Sequence, residues 1–218
     1  MKIAIIGAGN VGGALGRSWA KAGHAITYAV REPSAEKIQA LLAATGHGSR
    51  AILVATAMEA ADLVVLSTPW DGVPSALKSA GTLAGKVLVD CTNPLKFTPG
   101  VGLELALGFT DSGGEAVARW APGARVVKAF NTYGWENFAD ARYPNAAHLK
   151  PVMFLAGDEP AAKATVGRLA GEIGFEPFDA GVLRVARELE PLAMLWIRRA
   201  MSGARETGFT WACLRRSG

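Results

Sequence analysis

Cysteine is scarce in this sequence: Cys91 and Cys213 are the only two in 218 residues. Two thiols cannot build the disulfide framework of a small secreted scaffold, so a reduced, cytoplasmic setting is the expectation. Long apolar runs are missing as well. A spanning helix needs roughly 20 mostly apolar residues, and the longest such stretch, Ala51–Trp70, is interrupted by Glu59 and Asp62. No membrane span is expected. The start, Met1-Lys2-Ile3-Ala4-Ile5-Ile6-Gly7, carries no cleavage-like segment of a secretory signal. Charge of one sign is never concentrated. The 23 Lys and Arg against 19 Asp and Glu leave a net +4 spread along the chain, which argues against a nucleic-acid footprint. The signatures of covalent and metal chemistry are absent too. There is no serine elbow, no C-x-x-C and no H-E-x-x-H, and His24, His47 and His148 fall in turns or loops. Neither a catalytic nucleophile nor a metal site is expected. The chain is also short. Its length suits one domain, or one domain with a small appendage, and leaves no room for a substrate domain as large as a nucleotide domain.

What is present is apolar and regularly alternating. Half of the residues are hydrophobic, enough for a substantial core and too many for a disordered chain. Strand-like runs at Lys2–Ile6, Ala25–Val30, Ala51–Val54, Asp62–Ser67, Lys86–Asp90, Arg125–Phe130, Val152–Ala156 and Phe175–Phe178 are short and rich in β-branched residues. Between them, Val11–Lys21, Ser34–Ala44, Thr56–Ala61, Val73–Ala80, Ser112–Ala121 and Pro160–Ile173 read as helices. Such alternation predicts an α/β fold, a doubly wound parallel sheet with helices on both faces. Residues 92–111 read as a loop bearing Gly and Pro. Val182–Ala204 reads as an apolar helical tail, with Pro191 a kink or a starting point.

One motif carries chemistry. Gly7-Ala8-Gly9-Asn10-Val11-Gly12 matches G-x-G-x-x-G, lying between the first strand and the first helix. Gly7 permits the tight turn, Gly9 lets a pyrophosphate approach the backbone, and Gly12 lets helix and strand pack closely. The N–H groups at the helix start then face the phosphates. Just past the second strand, where NAD-binding folds place an acid for the ribose 2′-hydroxyl, the sequence reads Arg31-Glu32-Pro33. A guanidinium can hold a 2′-phosphate that a carboxylate would repel. Arg31, with Lys37 beyond it, favours NADP. A strand one residue longer would put Glu32 there and favour NAD. Thr68-Pro69-Trp70 and Asn93-Pro94 follow later strands, at the edge where open α/β sheets bind ligands. They are candidates to contact the cofactor, Trp70 as a cover or as packing. Cys91 reads as packing.

An ordered series of segments carries a resemblance. It comprises Gly9-Asn10-Val11-Gly12, Gly23-His24, Arg31, Pro69-Trp70, Arg125-Val126-Val127-Lys128-Ala129-Phe130-Asn131-Thr132, Ala156-Gly157-Asp158, Phe178-Asp179-Ala180-Gly181 and Glu188-Leu189-Glu190-Pro191-Leu192. Nearly end to end, it resembles the NADPH-dependent reductases of the deazaflavin coenzyme F420. The resemblance implies a Rossmann domain over residues 1–150. It also implies a small C-terminal α/β-helical cap, residues 151–218, that closes over the crevice and pairs two copies as a homodimer. Leu192, Leu195, Trp196 and Ile197 make the last helix apolar over a wide arc, in keeping with such pairing. The implied reaction is direct hydride transfer between NADPH and F420, a small-molecule acceptor, without a catalytic residue or a metal.

Where archaeal members resemble His-Thr-Ile-Pro, this chain has Asn131-Thr132-Tyr133-Gly134. With Trp135 and Leu192, these residues are the candidate acceptor floor. The segment Lys128–Thr132 is also similar to the cytoplasmic reductase domain of the STEAP metalloreductases, which implies an ordinary flavin, FMN or FAD, as acceptor. A non-catalytic NADP sensor is the alternative outside enzymology. Lys128 is the one lysine at a plausible strand end.

Overall fold

The structure is a computed structural model and describes residues 1–146, 149–202 and 205–216. Ten strands and seven α-helices follow one another along these residues. They are β1 (Lys2–Ile6), α1 (Asn10–Lys21), β2 (Ala25–Val30), α2 (Glu36–Thr45), β3 (Arg50–Leu53), α3 (Val54–Glu59), β4 (Leu63–Leu66), α4 (Val73–Ala80) and β5 (Val87–Asp90). Then come β6 (Leu95–Thr98), β7 (Gly102–Leu105), α5 (Gly113–Trp120), β8 (Arg125–Lys128), β9 (Val152–Gly157), α6 (Pro160–Glu172), β10 (Glu176–Gly181) and α7 (Ala186–Ala200).

Eight strands form one sheet in the order β10-β9-β8-β5-β4-β1-β2-β3. The order reverses between β1 and β4, the switch point of a doubly wound fold. Burial alternates as a sheet covered on both faces requires. Ile3 and Ile5 join Leu15, Trp19, Val65 and Leu169 on one side. Ala4 and Ile6 join Val64, Leu66, Leu77 and Val117 on the other. The apolar run Leu63–Leu66 is wholly buried.

The sheet is parallel except at one joint, where β8 and β9 are antiparallel. That joint is the one departure from the parallel pattern in this sheet. Between Lys128 and Val152 only 3-10 turns are found among the described residues, and without a helical crossover the chain enters β9 from the opposite end. Two readings change. Residues 92–111 contain an antiparallel hairpin, β6 with β7. Pro191 is not a start point: α7 begins at Ala186 and runs through it. The proline is exposed, and its ring costs one backbone hydrogen bond without ending the helix. His148 and Ala204, read above as loop and helix end, lie outside the described residues.

Candidate cofactor crevice

The fingerprint turn is built as its glycines suggest. Gly7 has φ +109°, and a Cβ there would stand 2.8 Å from the Ser67 carbonyl oxygen. At Gly12 a Cβ would stand 2.1 Å from the Gly7 carbonyl oxygen, so no larger residue fits between turn and helix. Ser67 Oγ closes the arrangement by donating to the Gly7 carbonyl at 3.0 Å. Gly9 is different: no atom lies within 4 Å of its ideal Cβ. That open space sits at the start of α1, whose N-cap Gly9 supplies no side-chain cap. The first helical bond runs from Gly13 N–H to the Gly9 carbonyl. The amides of Asn10, Val11 and Gly12 therefore point outward at the positive end of the helix dipole.

The second strand ends at Val30, so Arg31 is the first residue beyond it and Glu32 the second. Both are exposed, as is Lys37 in the first turn of α2. No ion pair involves any of the three among the described residues. With β2 ending at Val30, the arginine stands one residue nearer to the strand end than the glutamate.

After β4 the chain passes Thr68 and Pro69 into a 3-10 turn, Trp70–Gly72. Thr68 Oγ1 is buried with no hydrogen-bond partner. Trp70 packs: its ring lies 5.4 Å from that of Trp120, and a Cβ on Gly113 would come within 3.2 Å of its Cζ3. Of the two readings of Trp70, the packing one describes its surroundings.

The carboxyl ends of β5 and β8 hold a charged cluster that sequence reading did not assemble. Asp90 and Lys128 are register partners on adjacent strands. Lys128 Nζ lies 2.9 Å from Asp90 Oδ2 and 2.8 Å from Glu190 Oε1 of α7, and donates to the Thr92 carbonyl at 2.5 Å. Asp90 Oδ1 accepts from the Thr92 amide and hydroxyl. Glu190 accepts from the amides of Gly113 and Gly114, at 2.9 and 3.0 Å, at the start of α5. The three charged side chains are 0–1% exposed. Burial alone would push the Lys128 ammonium down, but the Asp90 and Glu190 carboxylates outweigh it and hold the group above its ordinary value. Cys91, beside this cluster, is buried. Desolvation, reinforced by Asp90, pushes its thiol well up, away from thiolate chemistry.

Asn93 and Asn131 lock the two strand-end loops together. Asn93 Nδ2 donates to the Asn131 carbonyl at 2.9 Å and Asn131 Nδ2 donates to Asn93 Oδ1 at 3.0 Å. Asn131 Nδ2 also reaches the Leu189 carbonyl of α7 at 3.4 Å. Residues expected to serve cofactor and acceptor separately are thus one unit. Asn131 Oδ1 and Thr132 Oγ1, like Thr68 Oγ1, are buried without partners.

Tyr133 corrects its expectation. Its ring is 4% exposed and stacks on Phe175 at 5.7 Å, and its hydroxyl donates to the Val152 carbonyl. With every face covered, it is core and cannot floor an acceptor. Gly134 receives the Trp196 indole, since a Cβ would stand 2.4 Å from its Cη2. Trp135 packs half-buried against the core, and Leu192 is half-buried on α7. Pro94 is buried and lies within 3.1 Å of a Cβ built on Gly113. A separate cavity of about 780 Å³, lined by Phe138, Tyr143 and Lys150, lies at the far ends of α1 and α6 and contains none of these residues.

Against known proteins, residues 2–94 match the family model described as NADP oxidoreductase, coenzyme F420-dependent. A 1.70 Å crystal structure of a proposed F420-dependent NADP reductase from Arthrobacter sp. FB24 is 34% identical, with a TM-score of 0.89 over 99% of this chain and 100% of its own. The chain belongs to this family. As a member it is an NADP-dependent oxidoreductase by class. Metalloreductase STEAP3 of Rattus norvegicus is 34% identical over 142 residues, which are 64% of this chain and 27% of that protein. The chain thus spans about a quarter of that curated relative. A reductive aminase from Aspergillus terreus, in complex with NADPH and ethyl levulinate, shares 19% identity at TM-score 0.66, over 93% of this chain and 62% of the aminase. That likeness is one of fold. Among the described residues no helix is long and apolar enough to cross a membrane, and no group of three or more His, Cys, Asp or Glu is placed to hold a metal.

Proposed function

We propose that this protein binds NADPH along the carboxyl edge of its sheet and passes a hydride to a deazaflavin or flavin. The observation that carries the reading is the pairing of two ends. At one, an uncapped α1 with open space over Gly9 stands beside Arg31, ready for the pyrophosphate and the 2′-phosphate. At the other, three buried polar atoms, Thr68 Oγ1, Asn131 Oδ1 and Thr132 Oγ1, lack partners. Buried polar groups are almost always satisfied. Three orphans past the carboxyl ends of β4 and β8, on either side of β5, fit a site completed by a polar ring system and its carboxamide.

NADPH bound there supplies the hydride, two electrons with one proton, from its nicotinamide ring. The chain's own residues bind and orient. The Asn10, Val11 and Gly12 amides hold phosphate, Arg31 and Lys37 the ribose phosphate. Asn93, Pro94, Asn131 and Thr132 shape the ring end, and α7 with Leu192 excludes water above it. No side chain need give or take a proton. In this reading residues 1–150 bind the dinucleotide, and residues 151–218 close the crevice and pair two copies. Leu195, 59% exposed on α7, and Phe97, 74% exposed on the hairpin packed against α7, support that pairing.

The family description names coenzyme F420, while the resemblance of Lys128–Thr132 to the STEAP reductase domain is what brings in a flavin. Loss of absorbance at the NADPH band, with F420, FMN, FAD and a ferric chelate offered in parallel, tests the reading. Turnover with F420 or a flavin is expected. Tight NADPH binding without turnover on any acceptor would replace the enzyme by a sensor.

A further inference from the structure

We infer that Glu190 is a positioning residue: by tying α7 to the ends of β5 and β8, it sets the place of the Asn93–Asn131 pair and so of the crevice's ring end. The inference rests on the cofactor placement proposed above and adds a residue with no direct part in it.

The argument follows the bonds. Glu190 uses both carboxylate oxygens inward. Oε2 takes the Gly113 amide, and Oε1 takes the Gly114 amide and the Lys128 ammonium. Lys128 in turn holds the Thr92 carbonyl, and Asp90 holds the Thr92 amide and hydroxyl. Thr92 therefore has its backbone fixed on both sides. The next residue is Asn93, which is cross-linked to Asn131 twice. Asn131 closes the circuit on the Leu189 carbonyl, one residue from Glu190. The unpartnered Asn131 Oδ1 and Thr132 Oγ1 sit on the loop this circuit aims. Fold stability alone gives no reason for it, because a buried ionic triad is often no more stabilising than apolar packing. A charged circuit that ends beside unsatisfied polar atoms fits the supporting layer that a precise site requires. Arg31 and the α1 amides stand outside the circuit, so the two ends of the dinucleotide should respond differently.

Substitution Glu190→Gln separates them. In either orientation the amide NH2 faces a donor, Lys128 Nζ with the Gly114 amide or else the Gly113 amide, so the circuit opens with little change in volume. The full-length protein is titrated with NADPH and with 2′-phospho-ADP-ribose, which lacks the nicotinamide ring. Amide exchange at Gly113 and Gly114 is read without cofactor. E190Q should bind 2′-phospho-ADP-ribose within about threefold of the original chain and NADPH about tenfold more weakly, the loss of roughly one charge-assisted hydrogen bond. Exchange at both glycines should quicken, and kcat at saturating NADPH should fall by about tenfold or more. Glu190→Asp keeps the charge but is one methylene short, and should restore part of the nicotinamide increment even if E190Q folds poorly. Equal weakening of both ligands, or of neither, in the folded variants would overturn the inference. Absence of turnover in the original chain would count against the proposed reaction alone, because the ratio of the two affinities still decides the role of Glu190.

Discussion

Replacing Lys128 by methionine keeps most of the side-chain volume and removes the only cation of the buried cluster among the described residues. The structure sets the scale of the damage. Asp90 and Glu190 would stay at 0% and 1% exposure, two carboxylates facing one site with no counter-charge. Removing one partner of a buried ion pair costs about 3–5 kcal/mol. Against a total stability of about 5–15 kcal/mol, that is a large share. At about 2–4 °C per kcal/mol for a chain of this size, Tm should fall by about 6–20 °C. Scanning calorimetry or a circular-dichroism melt reads it directly.

The pH dependence supplies a second check on the same variant. Lys128 has its folded value raised by Asp90 and Glu190 despite burial. A raised cationic group stabilises fully below its unfolded value, about 10.4 for lysine, and that stability is lost as pH rises through the folded value. The melting temperature of the original chain should therefore drop above about pH 10.4, and the gap between it and K128M should narrow there. Buried tyrosines also lose stability in that range, but they are common to both proteins and cancel in the difference. A K128M protein melting within 2 °C of the original (roughly the shift from under 1 kcal/mol) would refute the view that Lys128 neutralises buried charge.

Other expectations follow from single positions. Arg31→Ala should weaken NADPH by about 10–100-fold, the worth of one or two charged hydrogen bonds, while NADH is little changed; equal losses for both would remove Arg31 from the phosphate site. Gly9→Ala should fold normally, since its Cβ meets nothing, yet bind NADPH less well by isothermal titration. Gly12→Ala should destabilise the fold itself, because its Cβ would collide with the Gly7 carbonyl, and a G12A melt matching that of G9A would contradict the turn geometry. Tyr133→Phe should cost about 1–3 kcal/mol by leaving the buried Val152 carbonyl without this donor and leave the NADPH affinity unchanged. A large change in affinity would return Tyr133 to the binding surface.

Local pattern made much of this legible. The first strand, the glycine turn and α1 follow from six residues whose spacing allows little else, and β2 ends at Val30, where the reading put it. The hairpin at Leu95–Leu105 was harder to see. Its strands have four residues each, none of them buried, and show little alternation. The antiparallel joint at β9 goes with a stretch between Lys128 and Val152 that holds no α-helix among the described residues, which residue types alone report poorly. Tyr133 is ambiguous in sequence because an aromatic beside a strand end looks the same whether it faces a ligand or, as here, Phe175. The charged cluster shows the limit most clearly. Asp90 and Lys128 each close an apolar run, Val-Leu-Val-Asp and Arg-Val-Val-Lys, and a charge at the end of a buried strand needs a partner. That rule could have paired them. Nothing local could have brought in Glu190 from a helix about 60 residues further on.

Helices α1 and α5 are among those that begin at the carboxyl edge of the sheet, and each presents unsatisfied amides there by virtue of being a helix. Glu190 fills the start of α5 with a carboxylate from within the chain, while α1 is left uncapped. The molecule thus answers its own second anion seat before any ligand arrives. In the reading proposed above, a dinucleotide laid along this edge finds no seat for its diphosphate at α5, because the chain's own carboxylate already holds those amides. That end of the crevice would then be closed to a diphosphate by the fold itself, whichever residues read the rest of the cofactor.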